Sequence, residues 1–449
     1  MKMMSESLLL TAVFETLNKS GLDYCVQNKY EMMPEEIPSD IDMMYRNASE
    51  KELDGIVKEI LKETGLILTQ KIVQDYGEYT YILSYPIPRE RFQLQLDFYR
   101  VISKGKIRNV LLEKDLLDNK RFYKLFYVPA YYDELRYIIV RRTLKKDMTE
   151  AHIAKMQELC DADSLYKIEQ DFGNVVAKHV SEMIATGDKT FFYDNYQSFL
   201  YAILQMSKKN YKVKERFKFY MFKLINYPFK RIFRTCGMTV AFLAPDGTGK
   251  STVIEGINKT CSGSFYGIEN YYFRPRVLKN IGHYNKLNPT EEAKTNNQPH
   301  EVQLNGKVKS IIRFMFYNID FLIGMNTKVY KEKMKKKLIV FDRYYYDYYA
   351  DMTRYQYNLS SKVARIFRFL IPVPDIVIIL DADSSVIRNR KQELTVEEID
   401  KQRKAFQQVA KDIKNVVTIN TEKSIDEVIS NVTEEVLKCQ EKRTRRIVK

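Results

Sequence analysis

The sequence predicts an α/β protein in three parts: an α+β domain at 1–146, a helical linker at 147–235, and a parallel sheet flanked by helices at 236–449. Three observations predict this arrangement. A buried-strand pattern at 239–243 runs into a glycine-rich turn and a helix, which is how one unit of a parallel sheet begins. Further apolar, β-branched runs follow, with helical patterns between them. Residues 147–209 show helical periodicity alone.

The composition indicates a globular protein of two or three domains, since 45% of the 449 residues are hydrophobic and 29% are charged. The five cysteines are scattered without C-x-x-C spacing, and the four histidines are scattered too. This pattern favours a reducing compartment and argues against a zinc cluster. The sequence has neither an apolar run of transmembrane length nor a convincing signal peptide, so we expect a cytoplasmic protein.

The glycine-rich turn has the residue types of a phosphate-binding loop. Glycines let backbone N–H groups approach phosphate oxygens, and the N-terminus of the following helix adds partial positive charge. Lys250 would reach the β- and γ-phosphates of ATP, and the Ser251 hydroxyl would ligate Mg²⁺. Ala244 replaces the first glycine of the pattern, and the alternative is a glycine turn that binds nothing. The predicted nucleotide-binding residues are Asp246, Gly247, Thr248, Gly249, Lys250, Ser251 and Thr252.

Charged residues follow the later strands of the predicted sheet. Arg274 ends the second strand, and an Arg at the carboxyl edge of an open α/β sheet points into the ligand crevice. Asp342 and Arg343 follow an apolar strand. There an Asp can hold Mg²⁺ through water or orient an acceptor, and an Arg offers a planar fork for phosphate. Arg388 and Arg390 suit a lid over transferring phosphates, or else a solvated helix face.

Two segments between these motifs carry structural expectations. The polar stretch 285–303 is expected to be a loop, and 308–333 is expected to be a long helix. An apolar stripe along this helix is expected to lie in the core. Its residues are Ile311, Ile312, Met315, Phe316, Ile319 and Leu322.

The order phosphate loop, strand with Arg, long helix, strand with Asp-Arg-Tyr, strand and Arg-bearing lid resembles thymidylate kinase and its nucleoside-monophosphate-kinase relatives, over about residues 237–440. The resemblance implies a P-loop kinase fold that uses ATP and Mg²⁺, with Asp246 contacting the acceptor. The Arg-Glu-Pro-Gly element of true thymidylate kinases is only partly present at 273–276, and no thymine-reading set is visible. The resemblance assigns catalysis to Lys250, Asp342, Arg343, Arg388 and Arg390, and acceptor binding to Arg274, Asp342, Arg343 and Tyr344.

Carboxylates mark a second candidate site near the N-terminus. Asp40 and Asp42 are two residues apart on an apparent strand and leave the same face, and a later strand offers Asp97. Like charges side by side are costly unless a cation lies between them. This arrangement binds Mg²⁺ for nucleotidyl transfer, and the alternative is a polar strand edge.

Residues 8–145 resemble the nucleotidyltransferase superfamily, whose pattern is a small-residue turn, then Asp-x-Asp, then a separate Asp. Ser39 before Asp40 agrees with that pattern, and a basic helix at 131–146 would close the domain. The Gly-Ser turn that normally holds the nucleotide triphosphate is missing, and Gln27-Asn28-Lys29 stands near its place. The fold is therefore expected, while the transferase activity is left open.

A segment rich in basic and aromatic residues, 211–234, ends the linker. Such a segment can lie on an anionic membrane, which would place the protein at the inner face of that membrane. Pro228 would break or kink a helix there. The alternative is a linker helix that docks on the core through its aromatic side.

Together these patterns predict an ATP-dependent phosphotransferase that acts on a phosphorylated small acceptor and carries a nucleotidyltransferase-like domain. The pairing resembles proteins of bacterial surface-polysaccharide pathways, in which the kinase half would make an intermediate that the other half activates with a nucleotide. Two other classes are open: a nucleotide-binding scaffold at the membrane, and a nucleic-acid end-processing enzyme. The net charge of +15 permits nucleic acid, a membrane surface or anionic small substrates as partners. A homodimer is open as well.

Overall fold

The computed structural model describes two compact units. The predicted loop at 285–303 and the end of the basic segment, from Pro228 to Arg234, lie outside the described residues. No helix in the part of the chain that the structure describes is both long and apolar enough to cross a membrane. The residues that the structure describes are 5–83 and 93–227 in the first unit. In the second unit they are 84–85, 237–278, 306–355, 357–358, 360–392 and 394–446.

The first unit is built on a five-stranded sheet. The sheet is formed by β1 (Asp23–Val26), β2 (Ile41–Arg46), β3 (Ile67–Asp75), β4 (Glu78–Ser84) and β5 (Gln93–Tyr99). Two further two-stranded sheets pair β6 (Val101–Lys104) with β7 (Ile107–Leu112) and β8 (Arg121–Tyr123) with β9 (Phe126–Val128). The sheet order is β1-β2-β5-β4-β3, with β1 and β2 antiparallel and β2 and β5 parallel. The parallel pairing sets Asp42 directly beside Asp97.

The helices of the first unit begin and end at recognisable capping residues. Ser49 and Glu52 form a reciprocal capping box before the helix Glu50–Thr64, and Gly65 ends that helix in the left-handed conformation. Thr149 and Asp161 cap the helices Glu150–Leu159 and Ala162–Phe172 in the same reciprocal way. The helices are α1 (Glu6–Lys19), α2 (Glu50–Thr64), α3 (Lys114–Leu117), α4 (Tyr131–Lys145), α5 (Glu150–Leu159), α6 (Ala162–Phe172), α7 (Asn174–Thr186), α8 (Thr190–Asp194), α9 (Tyr196–Asn210) and α10 (Val213–Met221), which continues as a π-turn (Phe222–Asn226).

The helices from α4 to α9 share one hydrophobic core with β7. Leu111 of β7, Val140 of α4, Ile153 of α5 and Phe199 of α9 are all fully buried in it. The helical segment therefore packs as part of the first unit. Its independence as a linker domain at 147–235 stays a prediction.

The second unit has a five-stranded parallel sheet flanked by helices, which confirms the fold expected for the C-terminal part. Its strands are β10 (Met238–Leu243), β11 (Ile268–Tyr272), β12 (Leu338–Asp342), β13 (Ile376–Asp381) and β14 (Val416–Asn420), in the order β11-β12-β10-β13-β14. All four neighbouring pairs are parallel. Every residue of β10 is buried, as expected for a central strand with helices on both faces.

Seven α-helices surround this sheet in the described part of the second unit. They are α11 (Lys250–Thr260), α12 (Lys307–Gly324), α13 (Tyr330–Met334), α14 (Ser361–Phe367), α15 (Ser384–Arg390), α16 (Val396–Asp412) and α17 (Ile425–Arg445). A π-turn (Met325–Val329) joins α12 to α13, and a 3₁₀ turn (Tyr345–Tyr349) follows β12. That turn buries five consecutive side chains, four of them tyrosines, so it is part of the core.

The prediction that the apolar stripe of the long helix lies in the core is wrong. Ile311, Ile312, Met315, Ile319 and Leu322 are exposed, and Phe316 is half-buried. The opposite face of α12 is the buried one, and it carries Ser310, Phe314, Asn318 and Phe321. Hydropathy did not identify this face because half of these residues are polar: the Ser310 hydroxyl, for example, accepts a hydrogen bond from the Asn358 backbone at 3.1 Å.

Candidate functional site

The turn between β10 and α11 carries the residues predicted to bind phosphate. Its positive backbone φ angles fall on Gly247, at 94°, and on Gly249, at 84°. A Cβ added at Gly249 would meet nothing within 4 Å, so the backbone is open to a ligand there. The Thr248 hydroxyl donates to the Pro245 carbonyl at 3.0 Å and holds the turn from within. Since α11 begins at Lys250, its first N–H groups face this turn.

Ala244, at the start of the loop, is compatible with this geometry. Its side chain is fully buried in the apolar cluster that includes Val240, Phe242 and Val253. The methyl group therefore contributes to packing beside the strand, and the positive φ angles occur later in the turn. Ser251 and Thr252, in the first turn of α11, are exposed.

Lys250 and Asp342 form an ion pair at the carboxyl edge of the sheet. The pairing follows from register: β10 and β12 are parallel neighbours, and Phe242 lies opposite Asp342. The Lys250 side chain is only 9% exposed. Burial lowers the pKa of Lys250, Arg343 lowers it further, and Asp342 acts in the opposite direction. The phosphate-loop cation therefore rests against a carboxylate at the end of the neighbouring strand.

Asp246 of the loop is held between two arginines, Arg343 and Arg354. Burial alone would raise the pKa of Asp246, but the two guanidinium groups lower it overall. Arg343 also donates to Asp347 at 2.6 Å, and it adopts a positive φ of 70°, a strained conformation for a side-chain-bearing residue. Arg354 donates in turn to Asp351 at 2.9 Å.

Two of the predicted acceptor-binding residues are engaged inside the fold. Arg274 is 4% exposed and donates to Asp320 of α12 at 2.7 Å, with its guanidinium 4.8 Å from the Tyr317 ring centroid. Tyr344 is fully buried, and its hydroxyl donates to the Pro372 carbonyl at 2.6 Å. The structure thus brings Asp342, Arg343 and the phosphate loop together, and places Tyr344 in the core.

The predicted lid arginines lie on α15 and bond to backbone carbonyls. Arg388 donates to the Leu394 carbonyl, and Arg390 donates to the Thr421 carbonyl at 2.9 Å. The same helix packs on the phosphate loop: a Cβ added at Gly247 would lie 3.0 Å from the carbonyl oxygen of Ile387 and 3.0 Å from the Cβ of Lys391. Lys391 therefore lies closer to the loop backbone than the sequence analysis recognised.

Sequence reasoning missed Arg354, Asp347 and Lys391. Arg354 lies after the tyrosine-rich stretch, and only the folded chain brings it to Asp246. Asp347 lies within that stretch, four residues after Arg343, and Lys391 directly follows the two arginines that were chosen on its segment. Signals therefore existed for Asp347, from its spacing to Arg343, and for Lys391, from the basic run after β13.

The three N-terminal carboxylates converge as expected. Ligand atoms of Asp40, Asp42 and Asp97 all lie within 4.8 Å of one another. Burial raises the pKa of Asp97 to about 6, and the charges of Asp42 and Asp40 add to that rise, against hydrogen bonds from Thr80 and Gln95. Carboxylates gathered in this way supply the oxygen ligands that Mg²⁺ prefers.

Residues that stand in place of the missing Gly-Ser turn contact this cluster. Asn28 donates to Asp42 at 3.1 Å, and the Lys29 ammonium lies 2.9 Å from Asp40. Burial would raise the pKa of Asp40, but hydrogen bonds from Ser39 and Lys29 lower it overall. The altered segment therefore supplies polar partners to the carboxylates.

A cavity of about 470 Å³ opens beside Asp40 and Asp42. Glu31 and Glu134 also line it, but basic side chains predominate. A chamber with carboxylates at one side and cations around it matches the charges of a metal-bound polyphosphate. The basic residues that line it are Lys29, Arg141, Arg142, Lys145 and Lys155.

A comparison with protein-family models finds a match within the second unit. Residues 245–436 match the family model described as thymidylate kinase. Among solved structures, the thymidylate kinase of Ehrlichia chaffeensis is similar at 18% sequence identity and a TM-score of 0.31, over 44% of this chain and 96% of that chain. No curated protein matches the sequence. The nucleotidyltransferase-like nature of the first unit stays a prediction, and the second unit contains a thymidylate kinase-like domain.

Proposed function

We propose that the second unit transfers the γ-phosphoryl group of ATP to a phosphorylated small acceptor. The observation that carries this proposal is the meeting of Lys250, Asp342 and the Asp246–Arg343 pair at the carboxyl edge of β10 and β12. Phosphoryl transfer requires a cradle for phosphates and cations placed around them, and this edge supplies both. The matching family makes nucleoside monophosphates the first acceptor class to test.

The residues present fit ATP and Mg²⁺. The open backbone at Gly249 and the N-terminus of α11 suit the β- and γ-phosphates, and Lys250 has the charge to hold them. The exposed hydroxyl of Ser251 and the carboxylate of Asp342 are oxygen ligands of the kind that Mg²⁺ takes. The ion, when bound, neutralises charge on the transferring phosphoryl group.

The chain's own residues position and neutralise the reacting groups. An oxygen of the acceptor phosphate attacks the γ-phosphorus, the bond to the β–γ bridging oxygen breaks, and ADP leaves. Arg343 and Arg354 can bind the acceptor phosphate by exchanging Asp246 for it as their anionic partner. Arg388, Arg390 and Lys391 follow β13 on the segment that packs against Gly247, where they would add charge over the phosphates.

The direct test is transfer of labelled γ-phosphate from ATP and Mg²⁺ to a panel of acceptors. The panel contains nucleoside monophosphates, sugar phosphates, polyol phosphates and short nucleic acids, with Lys250→Ala as the inactive control. A labelled small product that disappears with Lys250→Ala supports the proposal. Binding of ATP with no transfer to any acceptor would favour the scaffold class, and label on nucleic acid alone would favour end processing.

A second candidate function, nucleotidyl transfer, is supported by the carboxylate cluster and its basic cavity. In this proposal Asp40, Asp42 and Asp97 hold Mg²⁺, and the surrounding cations bind a nucleoside triphosphate. The assay follows label from the α-phosphate of each nucleoside triphosphate into product. Asp42→Asn should abolish incorporation, whereas Asp194→Asn, an exposed carboxylate on α8, should leave it unchanged. Equal activity in both variants would contradict the assignment.

The two proposed activities can act in sequence: the kinase product would be the substrate that the first unit activates with a nucleotide. Surface-polysaccharide synthesis is one setting for such a pair. If Lys250→Ala and Asp42→Asn block the same overall conversion of acceptor to nucleotide-linked product, the coupling is supported. If they impair unrelated reactions, it is wrong.

A further inference from the structure

Helix α10 and the π-turn that follows it leave an apolar stripe on the surface of the first unit. The exposed fractions of the stripe residues range from 38% to 80%. Their spacing of three and four residues places them on one face of the helix over about 20 Å. The stripe residues are Val213, Phe217, Tyr220, Met221, Leu224 and Ile225.

The opposite face of this helix is fixed to the first unit. Phe222 is 6% exposed, and its ring centroid lies 5.8 Å from that of Tyr76. The Arg108 guanidinium lies 4.3 Å from the Phe219 ring centroid and donates to Asp75 at 2.7 Å. The helix therefore presents its apolar stripe outward from a firm attachment, and the aromatic side chains are divided between the two faces.

Basic residues flank the stripe on both sides. Lys212 and Arg216 are four residues apart along one edge, and Lys214 and Lys218 are four residues apart along the other. Lys212, Lys214 and Arg216 are exposed, and Lys218 lies 3.0 Å from Glu215, the one carboxylate of the helix. The surface thus combines an apolar centre with cationic edges.

From this arrangement we propose that α10 and its π-turn dock the protein in the plane of an anionic lipid bilayer. Apolar side chains would enter the boundary between headgroups and acyl chains, and the flanking cations would meet anionic headgroups. Charge complementarity favours a bilayer over a second copy of the chain, because two such stripes face to face would bring their cationic edges together.

Sedimentation with vesicles tests this proposal on the full-length protein. The vesicles are phosphatidylcholine with about one third phosphatidylserine, compared with phosphatidylcholine alone. The test variant is Phe217→Ser/Leu224→Ser, and the matched control is Ile312→Ser/Ile319→Ser in the exposed stripe of α12. All four side chains are exposed, so these changes leave the fold intact. A third variant, Lys212→Ala/Lys214→Ala, tests the charged edges.

We expect the wild type to sediment with acidic vesicles at low ionic strength and to be released by salt. The α10 apolar variant should lose at least about tenfold in partitioning, while the α12 variant retains it. The lysine variant should lose about fivefold per cation removed. γ-Phosphoryl transfer without vesicles should be unchanged in the α10 variants.

Three results would overturn the proposal. One is failure of the wild type to sediment with acidic vesicles at low ionic strength. Another is loss of sedimentation in the α12 variant with retention in the α10 variant. The third is an oligomer of the wild type that the α10 apolar variant dissociates without any change in vesicle binding, which would identify the stripe as a contact between copies.

Discussion

The two candidate sites arrange their charged groups in opposite ways. At the phosphate loop, charges of opposite sign alternate: Lys250 with Asp342, and Asp246 with Arg343 and Arg354. At the N-terminal cluster three carboxylates meet, and most of the cations near them line the adjoining cavity. The first arrangement is neutralised by the chain itself, whereas the second concentrates negative charge.

This difference determines how the charges of each site affect its stability when no ligand is bound. A buried cation and carboxylate in contact hold each other in place, so the kinase-like site is organised by its own ion pairs. In the second site, burial raises the pKa of Asp97, and repulsion from the neighbouring carboxylates of Asp42 and Asp40 adds to the rise. Removing the charge of Asp246, whose pKa is lowered, should therefore destabilise the first site, and removing the charge of Asp97 should stabilise the second.

The largest effect on stability is expected for Arg343→Ala. The change leaves Asp347, which is fully buried, without its arginine partner, and frees Asp246 from one of its two. Breaking a buried pair in this way costs about 3–5 kcal/mol. Calorimetry should show a fall in the melting temperature of the second unit. Arg365→Ala, at an exposed position on α14, is the control and should change little. A minor effect at Arg343 would contradict the network.

Matched Asp→Asn changes in the two sites are expected to have smaller effects on stability, and these effects should be of opposite sign. The measurements are made in the presence of a chelator. Asp246→Asn removes the anion between two arginines and should lower stability. Asp97→Asn removes a charge that burial, and to a smaller extent Asp42 and Asp40, disfavours, and it should raise stability by up to about 3 kcal/mol. Unfolding of each unit by urea measures both. Changes of the same sign in the free energy of unfolding of both variants would contradict the proposed difference between the sites.

The pH dependence of these two variants sharpens the same comparison. The folded-state pKa of Asp97, about 6, lies above its ordinary value of 3.8. The stabilisation of Asp97→Asn relative to the wild type should therefore be complete above about pH 6 and shrink as pH falls towards 4. The pKa of Asp246 is lowered in the folded protein. The carboxylate of Asp246 therefore contributes its full stabilisation above its ordinary pKa of 3.8, and this stabilisation is lost as the pH falls through the lowered pKa.

The smallest expected effect is a difference in the rate of γ-phosphoryl transfer between alanine variants of Lys391 and Arg390. Both side chains are exposed, but Lys391 lies beside Gly247 of the phosphate loop, whereas Arg390 donates to the Thr421 carbonyl. Lys391→Ala should lower the rate of γ-phosphoryl transfer about tenfold, and Arg390→Ala should lower it less. Steady-state rates at saturating ATP compare the two. A larger loss at Arg390 would instead favour the lid arginine predicted from the sequence over Lys391.

Local patterns predicted the parts of the molecule that depend on local chain geometry. The phosphate loop needs glycines and Lys250 within one turn, and the carboxylate cluster follows from strand alternation and the register of Asp42 with Asp97. Partners brought together by tertiary folding were not predictable. Arg354 reaches Asp246 only after the chain has wound through the tyrosine-rich turn, and no spacing indicates this.

The long helix shows a different limit of sequence reasoning. A helix with one strongly apolar face is expected to bury that face, yet α12 buries the face that carries Ser310 and Asn318. Asp320, also buried there, accepts hydrogen bonds from Arg274 and from the Arg276 and Leu278 backbone. The polar residues of the inner face thus fix the chain after β11, a requirement that hydropathy does not reveal.

The measurement that tests the central claim most directly compares Lys250→Ala with Lys259→Ala in γ-phosphoryl transfer. Both lysines lie on α11, but Lys250 is buried at the phosphate loop, whereas Lys259 is 66% exposed and pairs with Glu255. The account predicts a loss of about a thousandfold for Lys250→Ala and an unchanged rate for Lys259→Ala. Equal rates of transfer in the two variants would contradict a kinase site at this loop.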